Sequence, residues 1–219
     1  MIVHSTQPVT LIGGGALEPG DPTRTLALAP VPVAADGGAE ALLAAGVMPE
    51  AVIGDMDSLS AEARAAIPPD RLHPVTEQET TDFDKCLRLI DAPAILGLGF
   101  LEGRLDHALA ALAGLMRARD RPCLLIGQED LAFHCPPDLR MTLPEGMRVS
   151  LYPLTPVVAS ATGLAWPLER LNLAPGGQLG TSNAALGGEV AISPAAPGLI
   201  VILPRQARDA ALAAIRRRD

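Results

Sequence analysis

The sequence contains few aromatic residues and no long apolar run. Only 2% of its 219 residues are Phe, Trp or Tyr, although 48% are hydrophobic, so the core must be built from Ala, Leu, Val and Ile. Every apolar stretch is interrupted before it reaches the roughly 18 residues that a membrane-spanning helix needs. The first residues also lack the basic segment of a secretory signal peptide. We therefore expect a cytoplasmic protein with no membrane partner.

Cysteine and positive charge are also scarce. Cys86, Cys123 and Cys135 form an odd set without CxxC spacing, which disfavours a disulfide framework or a zinc site and favours buried thiols. The formal net charge of −8 disfavours a nucleic-acid-binding surface. Between Asp36 and Asp106 there are 14 acidic residues against 5 basic ones. Such a stretch accepts phosphates when a cation lies between the charges, or it is simply a solvated acidic surface.

Short apolar runs alternate with helical patterns up to residue 127. Phe83, Leu87 and Ile90 recur at helical spacing after a possible Thr cap, and Leu105 opens a second apolar stripe that continues through Leu109, Leu112 and Met116. The predicted strands are 9–12, 31–35, 51–54, 71–75, 94–97 and 123–127, and the predicted helices are 38–45, 61–66, 81–90 and 105–117. This alternation favours a mostly parallel sheet covered by helices.

The pattern changes near residue 128. From 131 to 204, short strand-like runs are punctuated by Pro and Gly, and no helix is expected. The clearest of these strands are 148–152, 188–193 and 199–203. We therefore predict an α/β domain over 1–128 and a β-rich domain over 129–219 that ends in an Ala-rich helix over 207–218.

Acidic residues follow several of the predicted strands. Asp55 and Asp57 close the apolar run 51–54, and two carboxylates so close together are costly unless a charge compensates them. Mg²⁺, which takes one or two carboxylates together with substrate phosphates, is a natural compensator. Asp82 and Asp106 lie in further acidic segments. Because ligands of an open α/β sheet bind at the carboxyl ends of the strands, we expect these carboxylates to converge on one crevice and to support phosphate chemistry.

Each candidate also has a purely structural interpretation. Asp55 or Asp57 could cap the turn that follows the strand, and Asp82 could complement a helix dipole. Arg104 could form a surface salt bridge, and Lys85, the only lysine of the chain, could form an ion pair with the residue one helical turn before it.

Five segments of the chain, in order, resemble the bacterial form of the thiamine pyrophosphokinase (thiamine diphosphokinase) family. They are 35–39 (Ala-Asp-Gly-Gly-Ala), 54–58 (Gly-Asp-Met-Asp-Ser), 78–83 (Gln-Glu-Thr-Thr-Asp-Phe), 103–107 (Gly-Arg-Leu-Asp-His) and 180–183 (Gly-Thr-Ser-Asn). The resemblance implies a Rossmann-like N-terminal domain, a C-terminal β-sandwich and a homodimer with its thiamine site at the subunit interface. It also implies that the pyrophosphoryl group of ATP is transferred to the hydroxyl of thiamine, giving thiamine diphosphate and AMP.

The resemblance further implies roles for individual residues. Asp55, Asp57 and Asp82 would hold one or two Mg²⁺ ions against the triphosphate, Arg104 would bind a phosphate, and Asp106 would orient the thiamine hydroxyl or join the metal shell. The ATP side of the site would include Asp36, Gly37, Gly38, Ser58, Gln78, Thr81 and His107, and the thiamine side Trp166, Ser182 and Asn183.

Two other functions fit the same residues. One is a Mg²⁺-dependent pyrophosphokinase or nucleotide hydrolase with another acceptor. The other is a non-catalytic sensor that binds thiamine or a nucleotide. The segment 96–104 is bulkier than the family form and carries Glu102 beside the arginine, which affects the expected nucleotide contacts.

Overall fold

The computed structural model describes residues 1–216 and has a mixed α/β architecture with one large sheet and a separate antiparallel sheet. The strands are β1 (Val3–His4), β2 (Val9–Ile12), β3 (Val31–Ala35), β4 (Ala51–Gly54), β5 (Leu72–Pro74), β6 (Ile90–Asp91), β7 (Ile95–Leu98), β8 (Cys123–Ile126), β9 (Asp130–His134), β10 (Leu139–Leu143), β11 (Arg148–Pro153), β12 (Val157–Thr162), β13 (Leu168–Leu173), β14 (Gly180–Ala184), β15 (Gly188–Pro194) and β16 (Leu199–Pro204). The helices are α1 (Asp21–Leu26), α2 (Ala39–Ala44), α3 (Ala61–Ala66), α4 (Asp82–Leu89), α5 (Leu105–Arg117) and α6 (Arg208–Ile215).

The large sheet has ten strands in the order β14-β11-β16-β9-β8-β7-β2-β3-β4-β5. The six strands from β8 to β5 are parallel, which confirms the parallel sheet expected from the β-α alternation. The central strand β2 is buried on both faces, as helices packed on a parallel sheet require. Its one polar side chain, Thr10, donates a hydrogen bond to the carbonyl of Ala29, so the strand has no unsatisfied hydroxyl.

The sheet continues beyond residue 128 through antiparallel strands. β9 pairs with β8, and β16, β11 and β14 follow. The separate antiparallel sheet has the order β10-β15-β12-β13. Val149 and Leu151 of the large sheet share a hydrophobic cluster with Met141, Ala159 and Val190 of the small one. The two sheets therefore bury a common apolar layer, and the domain boundary at residue 128 stays a prediction.

The predicted elements agree closely with the observed ones. Three parallel strands and helices α3 and α5 have the predicted bounds, and the other predicted elements, the C-terminal helix apart, differ by one residue at one end or at both ends. The C-terminal helix ends at Ile215, and the predicted Arg217 and Arg218 lie outside the described residues. The strands β1 and β6 were not anticipated, because two residues carry no periodicity. Helix α1 was not anticipated either, because its six residues include a proline and two threonines, which have low helix propensity.

Helix α5 buries a different face from its leucine stripe. Leu105 and Leu109 are 74% and 53% exposed, whereas Ala111 and Gly114 are buried. A Cβ atom on Gly114 would lie 2.9 Å from the ring of Phe83 in α4. The two helices therefore approach along small residues, and the apolar periodicity that identified the helix does not identify its packed face.

No helix among residues 1–216 is both long and apolar enough to cross a bilayer. The cytoplasmic location stays a prediction.

Candidate functional site

The loops that carry the residues predicted for ATP and the metal ion lie at the carboxyl edge of the parallel strands. β2 lies at the switch point of the sheet, with β3, β4 and β5 on one side and β7 and β8 on the other. The N–H groups of Gly13 and Gly15 donate to the carbonyls of Leu98 and Gly99 at 2.8 and 3.1 Å, which joins the loops after β2 and β7. Ligands of open α/β sheets bind at this kind of crevice.

Three carboxylates lie together at this edge. Asp36, Asp55 and Asp57 each contribute one oxygen, and the three oxygens lie within 4.8 Å of one another. Asp36 follows β3, and the other two follow β4, its hydrogen-bonded neighbour. Residue Met56, between the paired aspartates, is 7% exposed and has φ 67°, so its side chain is in the core while the flanking carboxylates reach the edge.

Asp36 is the most buried of the three. It is 3% exposed, with φ 43°, and its Oδ2 accepts the N–H of Ser58 at 3.1 Å. Burial raises its pKa to about 6; the Ser58 N–H opposes this shift, and the charges of Asp82 and Asp55 add to it. The following Gly38 is required for packing, because a Cβ there would lie 2.1 Å from the carbonyl oxygen of Ile12. Contacts of Gly37 and Gly38 with a nucleotide stay predictions.

Asp55 is oriented by its neighbours. Gln78 Nε2 donates to Asp55 Oδ2 at 3.0 Å, and the N–H of Asp57 donates to Oδ1 at 3.3 Å. These hydrogen bonds, that of Gln78 first, lower the pKa of Asp55. The hydroxyl of Ser58 donates to Asp57 Oδ1 at 2.8 Å. The structure thus brings together four residues that the sequence placed in one site.

Asp82 has a different partner. Lys85 Nζ lies 3.0 Å from Asp82 Oδ1, and the lysine side chain is 2% exposed. Burial by itself would lower the pKa of Lys85, but the hydrogen bond and charge of Asp82 raise it. The ion pair between these two residues that the sequence suggested is confirmed, and the structure shows that its lysine is buried beside the carboxylate edge.

Gly54 separates Asp36 from Asp82. A Cβ atom on Gly54 would lie 2.8 Å from Asp36 Cβ and 3.2 Å from Asp82 Oδ1. The three residues are therefore packed as closely as the backbone of a glycine allows. Any larger residue at position 54 must displace one of the two carboxylates.

The arginine loop after β7 forms its own contacts. Arg104 donates to both oxygens of Asp106, from Nε at 3.1 Å and from Nη2 at 2.6 Å, and the two side chains are 70% and 64% exposed. The hydrogen bonds from Arg104 lower the pKa of Asp106 to about 2. His107 is exposed, and its N–H donates to Asp106. Thr81 is the N-cap of α4, so its hydroxyl accepts the N–H of Asp84.

The residues predicted for thiamine lie in the C-terminal half. Trp166 is 65% exposed, so it is not a core residue. Asn183 is 6% exposed, and its side chain accepts the N–H of Trp166 at 3.1 Å and donates to its carbonyl at 2.6 Å. Ser182 is exposed, with φ 63°. Asn183 therefore holds the backbone of Trp166, and direct thiamine contacts stay predictions.

The two groups are far apart within one chain. Asn183 lies in β14, the first strand of the ten-stranded sheet, while Asp55 and Asp57 follow β4, the ninth. At roughly 4.8 Å per strand, the separation along the sheet is on the order of 40 Å. One thiamine molecule does not span this distance.

Two family models match most of the chain. The catalytic domain of thiamin pyrophosphokinase matches residues 23–126, and the vitamin B1 binding domain of thiamin pyrophosphokinase matches residues 132–198. The chain belongs to the thiamin pyrophosphokinase family. The catalytic match contains Asp36, Asp55 and Asp57, and the binding-domain match contains Trp166 and Asn183. The resemblance found in the sequence is therefore confirmed.

Solved structures of the family have the same fold. Thiamin pyrophosphokinase from Geobacillus thermodenitrificans is 26% identical, with a TM-score of 0.75 over 90% of this chain and 96% of that one. The enzyme from Bacillus subtilis is 22% identical, with a TM-score of 0.74 over 90% and 98%. That from Candida albicans is 17% identical, with a TM-score of 0.77 over 92% and 93%. No curated protein matches the sequence at a significant level.

Sequence reasoning gave Lys85 no functional role. Lys85 lies within a run of five buried residues, Phe83 to Leu87. Helix α4 therefore has no solvated face along this stretch. The one available signal was composition. Lys85 is the only lysine in a chain that has 16 arginines, so position 85 is the one basic position that is not arginine or histidine.

Proposed function

We propose that the chain is an active thiamin pyrophosphokinase that uses ATP as the pyrophosphoryl donor and releases AMP. The observation that carries this proposal is the compact group of Asp36, Asp55 and Asp57 at the carboxyl edge, inside the residues that match the family's catalytic domain. A triphosphate binds to such an acidic edge through a cation, and the donor set here consists of hard oxygens.

Magnesium fits these residues. Asp36 has a buried Oδ1 without a hydrogen-bond partner among the described residues, and Asp55 and Asp57 already have their orientation fixed. Asp55 and Asp57 would hold the ion, and Asp82 is the third ligand that the sequence suggests. When bound, Mg²⁺ neutralises charge on the phosphates and makes the β-phosphorus more susceptible to attack.

The side chains of this chain position the reactants. In the proposed reaction a bond forms between the thiamine hydroxyl oxygen and the β-phosphorus, and the bond from that phosphorus to the α,β-bridging oxygen breaks. Arg104 suits a phosphate because its guanidinium binds two oxygens at once, as it does with Asp106. While it is paired with Arg104, Asp106 has a pKa of about 2, so its carboxylate is then a poor proton acceptor. Asp106 would therefore orient the hydroxyl by accepting its hydrogen bond, and the proton would leave to solvent.

We further propose that the Rossmann-like part of the chain, 1–128, holds ATP, with Gly37, Gly38, Ser58, Gln78, Thr81 and His107 on the nucleotide side. The strands of 129–219 would form a β-sandwich that binds thiamine through Trp166, Ser182 and Asn183. A homodimer with the thiamine site at the subunit interface is supported by the separation of the two groups in one chain. Exposed apolar side chains, among them Leu105 and Trp166, are available for such an interface.

The direct test is product analysis with ATP, Mg²⁺ and thiamine. We expect AMP and thiamine diphosphate in equal amounts, and no AMP without thiamine. The Asp57→Asn variant should abolish turnover, while Asp70→Asn, which makes the same charge change at an exposed distant position, should not. Formation of ADP or AMP without thiamine would indicate a nucleotide hydrolase. Binding of thiamine without turnover would indicate a sensor, and either result would overturn the proposal.

A further inference from the structure

Glu102 lies in the loop between β7 and α5, two residues before Arg104. A carboxylate this close to an arginine that binds a phosphate would weaken the binding if it faced the phosphate. In the structure the carboxylate instead has a backbone partner. Glu102 Oε1 accepts the N–H of Gln128 at 2.7 Å, and Gln128 follows β8, the strand that pairs with β7. The side chain of Glu102 therefore joins two neighbouring loops at the carboxyl edge.

The surroundings of Glu102 are closely packed. A Cβ atom on Gly127 would lie 2.6 Å from Glu102 Oε1, so the carboxylate reaches the N–H of the next residue only because position 127 is glycine. The backbone of Glu102 lies beside the loop after β2, where a Cβ atom on Gly15 would be 3.3 Å from the Glu102 carbonyl oxygen. A hydrogen bond from an N–H to a charged carboxylate is also stronger than one between neutral groups. The contact is therefore a specific attachment.

The turn after β8 is itself held from the C-terminal half of the chain. The N–H of Gly127 donates to the carbonyl of Asp130 at 2.8 Å, which closes the turn. Arg205 Nη1 donates to the carbonyl of Gly127 at 3.0 Å, and the N–H of Arg205 donates to the carbonyl of Glu129 at 2.8 Å. The guanidinium is fixed in turn by Asp21, which is buried. The turn is therefore a firm point of attachment for the arginine loop.

Arg104 has little support of its own. Its side chain is 70% exposed, and that of its partner Asp106 is 64% exposed. Gly103, which joins Arg104 to Glu102, has φ 84°, and a Cβ atom there would have no neighbour within 4 Å. An exposed arginine next to a glycine loses conformational entropy when it binds a phosphate. That loss lowers the affinity unless the loop is already held in place.

We propose that Glu102 is a positioning residue for Arg104. Its carboxylate attaches the arginine loop to the turn after β8 and so holds the guanidinium ready for a phosphate of the nucleotide. The inference rests on the proposed function, since it takes Arg104 as a ligand of the ATP phosphates. Glu102 acts through the loop and touches neither substrate, so it should affect nucleotide binding and not thiamine binding.

The test is binding of the non-hydrolysable analogue α,β-methylene-ATP with Mg²⁺, measured on the full chain by calorimetry. We expect Glu102→Ala to weaken binding roughly tenfold. Glu102→Gln should stay within about threefold of wild type, because its amide oxygen can still accept the N–H of Gln128. The control is Glu129→Ala, which removes an exposed carboxylate from the same turn and should bind the analogue as wild type does.

Two further variants separate positioning from a general loss of structure. In an Arg104→Ala background, Glu102→Ala should weaken analogue binding by less than about twofold, because the residue on which it acts is absent. Gly127→Ala keeps the charge of Glu102 but places a Cβ atom where its carboxylate now lies. It should therefore weaken binding to the same extent as Glu102→Ala.

Hydrogen exchange at the Gln128 amide, followed by NMR, tests the attachment without any ligand. The residue is exposed, so its amide exchanges rapidly unless the N–H is hydrogen-bonded. We expect Glu102→Ala to speed exchange at this amide roughly tenfold or more, and Glu102→Gln to speed it much less. Equal exchange rates in wild type and Glu102→Ala would overturn the inference.

The remaining outcomes separate this inference from the proposed function. Unchanged analogue binding in Glu102→Ala, or an equal loss with and without Arg104, would overturn the inference even if wild type makes AMP from ATP and thiamine. Unchanged analogue binding in Arg104→Ala alone would also overturn it. Wild type that binds the analogue through Arg104 and Glu102 but makes no thiamine diphosphate would uphold the inference and remove the proposed function.

Discussion

The only lysine of the chain, Lys85, is buried against Asp82, with Nζ 3.0 Å from Oδ1. This ion pair lies beside a group of three other carboxylates, and its positive charge contributes to the lowered pKa of Asp55, after the hydrogen bonds from Gln78 and Asp57. The pair also fixes the first turn of α4, which begins at Asp82. Lys85 therefore links the stability of this helix to the electrostatics of the site.

Replacing Lys85 should destabilise the protein through Asp82. In Lys85→Met the side-chain length is kept but the carboxylate loses its partner. We expect a coupling energy with Asp82 of about 1–2 kcal/mol, below the value for a fully buried pair because Asp82 is 32% exposed. Denaturant unfolding of Lys85→Met, Asp82→Asn and the double variant measures it. Additive losses would contradict the pairing.

Gly54→Ala should damage the site more than the fold. The new Cβ would be 2.8 Å from Asp36 Cβ, so the Asp36 turn must shift. A displacement on the order of 1 Å can cost roughly 100-fold in rate, and we expect a loss of this size in AMP formation. Gly177→Ala is the matched control, since its Cβ would make an ordinary 3.4 Å contact in a distant turn. Equal activity of the two variants would refute the geometry.

Asn183→Ala should weaken thiamine binding by releasing Trp166. Because Asn183 holds both the N–H and the carbonyl of residue 166, we expect the KM for thiamine to rise roughly fivefold, with the KM for ATP unchanged. Trp166 is the only tryptophan, so its fluorescence reports directly. Asn172→Ala, at an exposed position of β13, is the control. Fluorescence that does not respond to saturating thiamine would count against a direct contact between Trp166 and thiamine.

Subunit mixing tests whether one site uses two chains. In one arrangement, the carboxylates and Trp166 of one site are supplied by different copies of the chain. In that case a mixed dimer of one Asp57→Asn chain and one Trp166→Ala chain contains one intact site. Random reassortment of a two-fold dimer then restores roughly a quarter of the wild-type sites. The rate is measured at a thiamine concentration too low for Trp166→Ala alone. A mixture as inactive as its components would mean that each site is built within one chain.

The contribution of Arg205 to the free energy of unfolding should be largest at neutral pH and should fall under acidic conditions. Burial by itself would raise the pKa of Asp21, but hydrogen bonds from Arg205 and Arg24 outweigh it and lower the pKa. A lowered carboxylate pKa contributes stability that is present above the unfolded value and lost as the pH falls. We expect Arg205→Gln to lower the free energy of unfolding by roughly 2–3 kcal/mol at neutral pH.

This difference from wild type should shrink as the pH falls through 3.8, the ordinary pKa of the carboxyl. Urea unfolding at several pH values measures it. Arg208→Gln is the control, because Arg208 pairs with the adjacent Asp209, which is 75% exposed. A difference that does not change with pH would show that Arg205 acts through packing and not through the charge of Asp21.

The amino-acid sequence alone determined most of the segments that become strands and helices in the first half of the chain, because their periodicity is local; β1, β6 and α1 were the exceptions. It also determined the family, because five short motifs keep their order. The bounds of helix α5, from Leu105 to Arg117, were predicted correctly from its periodicity. It could not give the buried face, because that depends on how closely Gly114 lets α4 approach.

Only the tertiary structure decided how the carboxylates are partnered. Asp36 and Asp55 are 19 positions apart in the sequence, and the pairing of β3 with β4 places them side by side. The same fold directs Lys85 inward, to Asp82, and leaves Asp36 Oδ1 without a partner. Residue type predicts that aspartates need compensation. Which compensator each one receives depends on burial and distance, which arise only when distant segments pack.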